Sequence, residues 1–337
     1  MRRTPVGATS GRGEFALIER HFARASGDAS VRTGIGDDAA VLVPAPGHDL
    51  VLAVDMMVEG RHFVAGTDPE GLGHKILAVN LSDVAAMGAR PRWALLAGAL
   101  PDDDDAWLAA FSQGLFALAR AHGVALVGGD TTRGPRTLCL TIAGDVPAGG
   151  AILRSGASPG DDLWVSGTLG DAMLGLAAIE ERTSLDPQAR AHCVARLERP
   201  TPRVALGLAL RGVATAMLDV SDGLTGDLRH VLDASRAGAV VELAWLPRID
   251  ALDRKLAGRE RELALRCLLG GGDDYELLFA APAGKREAVA TAGRSAGVAV
   301  TRIGGVVDGD VLVVRDEGGQ PLAAPPPAFD HFAADAS

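Results

Sequence analysis

The chain has 337 residues, 47% of them hydrophobic, and a formal charge of -10 with a pI near 5.3. This length is sufficient for two domains, and the composition is that of a folded protein rather than a disordered one. The negative charge excludes the broad basic surface with which proteins bind nucleic acid or anionic membranes, so we expect neither as a partner.

The first half of the chain alternates helical and extended patterns. Apolar residues at helical spacing predict helices over 14–25 and 69–88, and a third that begins in the Asp102–Asp105 run and ends near Gly123. Because capping and the macrodipole favour aspartate in the first turn of a helix, we do not assign that run to a functional site. Short apolar runs predict strands at 39–43, 50–54, 124–127 and 137–146.

The second half shows the same mixture of elements. Its predicted strands are 163–166, 240–246, 275–281, 298–303 and 311–314, and its predicted helices begin near 171, 187, 203, 224, 249 and 285. A boundary at 147–150 gives a first domain of residues 1–148, a second of 149–324 and a tail of 325–337. The predicted fold class is α/β (α+β), with helices covering one face of each sheet.

Cysteine usage and the first residues bear on the cellular compartment. Cys139, Cys193 and Cys267 are widely spaced and odd in number, so neither a disulfide framework nor a zinc site is indicated. Met1 is followed by two arginines but no apolar segment, unlike a signal peptide, and no uncharged run is long enough to cross a bilayer. We therefore expect a cytoplasmic protein.

Aspartates recur where apolar runs end, and this feature points to a function. Asp55, Asp130, and Asp219 with Asp222 follow such runs, Asp37-Asp38 lies between a glycine-rich turn and a short apolar strand, and Asp273-Asp274 follows three glycines. Neighbouring carboxylates repel one another unless a cation or hydrogen-bond donors balance them, and oxygen atoms are the ligands that Mg²⁺ prefers. The pattern suggests that the carboxylates converge on magnesium ions that hold a nucleoside triphosphate.

Asp83 is a further candidate, with an alternative. It shares the apolar stripe of the predicted helix 69–88, where a carboxylate is costly unless it is paired. A metal ion is one partner. The other interpretation is that Asp83 caps a neighbouring element or pairs with Arg90 or Arg92.

Two glycine-containing segments are also open to two interpretations. In Gly128–Gly134, backbone amides could approach phosphate while Asp130 binds a metal and Arg133 adds charge, or the segment could form only a hairpin turn. Asp219–Gly223 precedes an amphipathic helix, so Ser221 or Asp222 could be its cap. Capping needs only one short polar residue, so it does not account for Asp219.

Several motifs run in order along the chain between about residues 13 and 332. They are Gly13–Phe15, Gly34–Asp38, Asp55 with Val58–Phe63, Ala78–Asp83, Gly128–Gly134, Leu153–Gly156, Asp219–Gly223 and Gly271–Glu276. Together they resemble those of thiamine-monophosphate kinases, in the aminoimidazole-ribonucleotide-synthetase-like superfamily. The resemblance implies an N-terminal α/β domain that forms a homodimer through its sheet, a C-terminal α/β domain, and a site between them.

The reaction that the resemblance implies is transfer of the ATP γ-phosphoryl group to thiamine monophosphate, directly and in line, with Mg²⁺. The implied magnesium ligands are Asp38, Asp55, Asp83, Asp130 and Asp219, with Asp222 on a further ion near the acceptor phosphate. The implied ATP contacts are Gly129, Asp130, Arg154 and Ser221. His62 and Asp273 would face thiamine, although a single histidine is more often structural.

Three positions depart from the family pattern. Ala53-Val54 stands where relatives usually have Ser or Thr before the aspartate, so a metal contact there would use a backbone carbonyl. Asp273 replaces the more familiar Glu and reaches one methylene less. Pro326 stands near the position where relatives place a Trp against thiamine.

Other functions share parts of this pattern. A selenophosphate synthetase would carry a reactive Cys near its N-terminal glycine-rich segment, whereas the first here is Cys139. A hydrogenase-maturation relative would end in a Cys-bearing tail. Aminoimidazole ribonucleotide synthetase also uses ATP and magnesium, and the His62 and Gly129–Gly134 segments favour the kinase over it. A non-catalytic metal or nucleotide-binding protein is the alternative from a different class.

Overall fold

A computed structural model describes residues 14–24, 27–323 and 325–329. These residues form two compact units, each assembled from separate stretches of chain. The first unit takes its described residues from Met1–Pro46, Leu52–Leu77 and Arg92–Ala143, and the second from Gly47–Val51, Ala78–Pro91 and Gly144–Ser337. The domain boundary at residue 148 stays a prediction.

The first elements of the chain form a mixed α/β arrangement. They are α1 (Glu14–His21), β1 (Val31–Thr33), β2 (Val41–Leu42), β3 (His48–Val58), α2 (Pro69–Ala86), β4 (Arg90–Leu100), α3 (Asp105–His122), β5 (Ala125–Arg133) and β6 (Thr137–Pro147). β1 and β2 pair antiparallel, and a four-stranded sheet has the order β3-β6-β4-β5, in which β4 and β5 are parallel. The predicted first helix extended to residue 25, which lies outside the described residues.

α3 begins and ends where the sequence predicts. The Asp104 carboxylate accepts hydrogen bonds from the backbone N–H groups of Ala106 and Trp107, at 3.0 and 3.1 Å. Gly123, with φ 66°, ends the helix in the left-handed conformation that favours glycine. The capping interpretation of the acidic run is therefore confirmed for Asp104.

The second unit contains a six-stranded sheet of order β12-β9-β11-β7-β10-β8, in which β12 and β9 pair in parallel and the other neighbours pair antiparallel. Its strands are β7 (Asp161–Ser166), β8 (Ala216–Asp219), β9 (Gly238–Glu242), β10 (Leu277–Pro282), β11 (Val300–Val307) and β12 (Leu312–Arg315). Its helices are α4 (Asp171–Ile179), α5 (Pro187–Glu198), α6 (Val204–Ala209), α7 (Leu224–Ser235), α8 (Asp250–Leu256), α9 (Arg261–Leu265) and α10 (Arg286–Ala296).

The core of this unit is formed by fully buried aliphatic side chains from the sheet and the helices, including Leu163, Leu218, Leu228 and Leu278. The alternation of strands and helices confirms the predicted α/β class. Within the described ranges, no helix is both long and apolar enough to span a membrane.

Candidate active site

In the first unit, predicted site residues line one cavity of about 1070 Å³. Asp37, Asp38, Gly129 and Asp130 belong to its lining. Pockets for small molecules commonly measure about 300–1,000 Å³, so this space is large enough for a nucleotide. The structure therefore brings the first acidic pair to the same cavity as the Gly128-Gly129-Asp130 segment.

The Gly128–Arg133 segment is a strand and not a turn. It continues β5, whose residues Gly129 and Asp130 pair in register with Leu96 and Ala97 of β4. The hairpin alternative is wrong because pairing with β4 extends the strand beyond the predicted end at residue 127. A Cβ atom on Gly129 would lie only 1.8 Å from the Leu96 carbonyl oxygen, so close strand approach requires glycine there.

Asp55 also lies within a strand and not at its end, because β3 continues to Val58. Alternation along β3 places Asp55 on the half-buried face, while its neighbours Val54 and Met56 are exposed. His62 follows the strand, and its Nδ1 accepts a hydrogen bond of 3.0 Å from the Val58 backbone N–H. An accepting Nδ1 carries no proton, so the ring is neutral and its proton is on Nε2.

Among residues 14–24, 27–323 and 325–329, no three His, Cys, Asp or Glu side chains are grouped closely enough to hold a metal ion. The predicted magnesium ligands are divided between the two units. Their assignment stays a prediction.

In the second unit, Asp219 ends β8 and is only 8% exposed. Burial raises the pKa of its carboxyl group, while the nearby Ser82 hydroxyl and Arg154 guanidinium act in the opposite direction. Ser82 precedes the half-buried Asp83 on α2. Three segments that contribute predicted site residues thus come together around Asp219.

The loop after Asp219 is held by a residue that sequence analysis missed. The Asp227 carboxylate accepts hydrogen bonds from the backbone N–H groups of Ser221, Asp222 and Gly223, at 3.0, 3.0 and 3.1 Å. Burial raises the pKa of Asp227 to about 7. The alternative in which Ser221 or Asp222 caps α7 is wrong, because the N-cap is Gly223 and Asp227 reaches back from the first turn.

Two buried carboxylates anchor the segment that contains Asp273. Both oxygens of Asp274 accept from the Gly170 backbone N–H, at 3.0 and 2.9 Å, and burial raises the Asp274 pKa well above its usual value. Glu276 is fully buried and accepts hydrogen bonds from Arg196 at 2.7 Å and from Arg203 at 2.6 Å. The part of this segment that follows Asp273 is therefore fixed within the unit.

Asp273 is bonded directly to the loop that Asp227 holds. Its backbone N–H donates to the Ser221 carbonyl oxygen at 2.9 Å, and the Tyr275 N–H donates to Val220 at 2.8 Å. Two predicted site residues, Ser221 and Asp273, are thereby brought together. Asp273 and Tyr275 have φ angles of 66° and 50°, which are uncommon for residues other than glycine.

The tail contributes a second residue that sequence analysis missed. The Phe329 backbone N–H donates to the Asp222 carbonyl oxygen at 3.0 Å, and Phe329 is 51% exposed. Ala328 packs so closely on Gly226 that a Cβ there would lie 2.3 Å from the alanine Cβ. The available signal was an aromatic residue just after the proline run, whereas the family pattern pointed to Pro326.

Comparison with known proteins identifies the family. The family AIR synthase related protein matches with its N-terminal domain over residues 36–146 and with its C-terminal domain over residues 158–317. A thiamine-monophosphate kinase of Salmonella typhimurium is 46% identical over 326 residues, which cover 95% of this chain and 98% of the relative. The chain belongs to the thiamine-monophosphate kinase family.

Solved thiamine-monophosphate kinases share the fold. The crystal structure of the one from Stenotrophomonas maltophilia K279a is 46% identical with a TM-score of 0.83, and the match covers 92% of this chain and 98% of that one. The structure of AaThiL complexed with AMPPCP and TMP is 29% identical with a TM-score of 0.75, covering 86% of this chain and 89% of that one. Membership in the thiamine-monophosphate kinase family confirms the resemblance stated from the motifs.

Proposed function

We propose that this protein transfers the γ-phosphoryl group of ATP to the phosphate of thiamine monophosphate and forms thiamine diphosphate and ADP. The observation that carries the proposal is the 46% identity to a thiamine-monophosphate kinase over 98% of that relative's length. The related structure that holds the ATP analogue AMPPCP together with TMP supports ATP and thiamine monophosphate as the two substrates.

Mg²⁺ is the metal that the available ligands suit. The proposed ligands are all carboxylates, and Mg²⁺ prefers oxygen atoms, keeps several waters and takes few ligands from the protein. The proposed ligands are Asp38, Asp55 and Asp130 in the first unit, and Asp83, Asp219 and Asp222 in the second.

The nucleotide contacts we propose are Gly129, Asp130, Arg154 and Ser221. Arg154 supplies a positive charge to a phosphate, which matters in a chain with a net charge of -10. Gly129 and Asp130 line the cavity of the first unit.

The thiamine contacts we propose are His62, Asp273 and Phe329. Neutral His62 carries its proton on Nε2 and can donate a hydrogen bond, and Asp273 supplies a carboxylate to a substrate whose thiazolium ring is positive. Phe329 is half exposed beside Asp222 and offers an aromatic face to a planar ring.

Catalysis in this proposal consists of positioning and charge stabilisation. The phosphate of thiamine monophosphate is already ionised near neutral pH, so its oxygen can attack without a dedicated general base. We infer direct in-line transfer. Isolation of a phosphorylated side chain during turnover would contradict a direct reaction.

A second copy of this chain is the partner we propose for the open face of the first sheet. β3 is an edge strand, and its alternate residues Leu52, Val54 and Met56 are 68%, 58% and 56% exposed. A row of exposed apolar side chains on a long edge strand favours association with another sheet. Sedimentation should show a dimer for the wild type and a shift toward monomer for Val54→Glu; a monomeric wild type would refute the dimer.

We further propose that the protein is cytoplasmic.

The function is tested by supplying ATP and Mg²⁺ with thiamine monophosphate, free thiamine or an aminoimidazole precursor. ADP release that requires thiamine monophosphate supports the kinase, whereas release with the aminoimidazole precursor supports the related synthetase. Nucleotide binding without acceptor-dependent ADP release supports the binding protein. Asp130→Asn and Asp38→Asn should lower turnover far more than stability, while exposed Asp103→Asn is the matched control.

A further inference from the structure

Tyr275 is the only tyrosine of the chain and lies two residues after Asp273. Its hydroxyl donates a hydrogen bond of 3.0 Å to Asp273 Oδ1. Both residues adopt positive φ angles, 66° for Asp273 and 50° for Tyr275. Such conformations are costly for side-chain-bearing residues and persist only where the surrounding structure imposes them.

The surroundings impose this geometry through the residues that alternate with the pair. Asp274, between them, is 2% exposed and binds the Gly170 N–H with both oxygens. Glu276, immediately after, is fully buried on Arg196 and Arg203. With positions 274 and 276 fixed inward, the half-buried residues 273 and 275 are held next to each other.

We infer that Tyr275 is a positioning residue that fixes the Asp273 carboxylate in the orientation used to bind the thiamine portion of the substrate. The inference rests on the proposed function and adds a residue to its acceptor side. A phenol that donates to one carboxylate oxygen limits rotation of the side chain. An oriented negative charge suits a ligand that combines a cationic ring with N–H donors. Tyr275 acts through Asp273 and needs no contact with the substrate.

Tyr275→Phe removes only the hydroxyl and is the direct test. We expect KM for thiamine monophosphate to rise about tenfold to 150-fold, the factor that corresponds to losing one hydrogen bond to a charged group. KM for ATP and the thermal midpoint should stay close to wild type. Thr183→Val is the matched control, because it removes a hydroxyl bonded to the carboxylate of Glu260 in the same unit.

A double-mutant cycle with Asp273→Asn separates positioning from an independent effect. If Tyr275 acts through Asp273, Tyr275→Phe should change KM for thiamine monophosphate little once Asp273 is already Asn. Equal effects of Tyr275→Phe in both backgrounds would overturn the inference. So would equal changes in KM for both substrates.

The wild-type protein provides a test that needs no variant. Because there is one tyrosine, incorporation of tyrosine labelled with ¹³C only at the ring ζ carbon gives a single ring signal. Thiamine monophosphate should shift that signal, and an ATP analogue alone should not. If saturating thiamine monophosphate leaves the signal unmoved in protein that turns over, the role of Tyr275 is refuted and the proposed function is not. Absence of any turnover with thiamine monophosphate would instead refute the proposed function.

Discussion

The loop from Asp219 to Gly223 carries three proposed ligand residues, and its shape depends on Asp227. Three backbone N–H groups donate to one oxygen of this carboxylate, at 3.0, 3.0 and 3.1 Å, and Asp227 is 4% exposed. Asp227→Ala deprives all three of their acceptor. A buried donor without a partner costs about 1–3 kcal/mol. Since Ser221 and Asp222 are half-buried and can recruit water, we take the lower value for each and expect a loss of about 3 kcal/mol in unfolding free energy.

Asp227→Asn should have a smaller effect than Asp227→Ala. The amide keeps a neutral acceptor oxygen and avoids burying a charge, so the loss in unfolding free energy should be smaller. Denaturant unfolding measures the loss in unfolding free energy, and titration of turnover with Mg²⁺ measures whether the loop has moved. Both variants should require more Mg²⁺ for half-maximal turnover. Asp233→Asn, at an exposed position of the same helix, is the control. If Asp227→Ala matches Asp233→Asn in both measurements, the loop does not depend on Asp227 and the reasoning fails.

Three further predictions concern stability and binding. Arg286 donates a hydrogen bond to Asp162 and lowers the pKa of that carboxyl group below the usual 3.8, so this ion pair stabilises the folded protein above pH 3.8 and stops doing so as the pH falls through the lower folded-state pKa. The difference in thermal midpoint between wild type and Asp162→Asn should therefore shrink below pH 3.8. A difference that stays constant with pH would contradict this prediction. Gly129→Ala should lower the thermal midpoint and turnover, because a strand oxygen lies 1.8 Å from the added methyl, whereas Gly284→Ala, with nothing within 4 Å, should not; equal midpoints would count against close strand approach. Phe329→Ala should raise KM for thiamine monophosphate about twofold to tenfold with little change in KM for ATP, as expected for loss of ring stacking worth about 0.5–1.5 kcal/mol. Unchanged kinetics would remove Phe329 from the site.

Local signals in the sequence were sufficient for much of the fold. The cap at Asp104 and the glycine at 123 act on their own helix, so a short window contains the information that sets the bounds of α3. The end of β5 was different. Residues Gly128–Arg133 look like a turn in isolation, and their extended conformation comes from pairing with β4, about thirty residues earlier.

The candidate site was predictable where motifs are contiguous and not where chain segments meet. The role of Asp227 depends on a side chain that reaches back over its own helix start, outside the usual cap positions. The bond from the Phe329 backbone to Asp222 joins residues more than one hundred positions apart. Neither follows from spacing, since both depend on how the tail and the loop pack in the second unit.

The fate of the γ-phosphorus of ATP tests the central claim most directly. ATP with three ¹⁸O atoms on the γ-phosphoryl group is supplied with Mg²⁺ and thiamine monophosphate. The mass of the thiamine product is then measured by mass spectrometry. The account predicts thiamine diphosphate that carries all three ¹⁸O atoms, formed in equal amount with ADP. Label found only in inorganic phosphate, or ADP formed at the same rate without thiamine monophosphate, would contradict it.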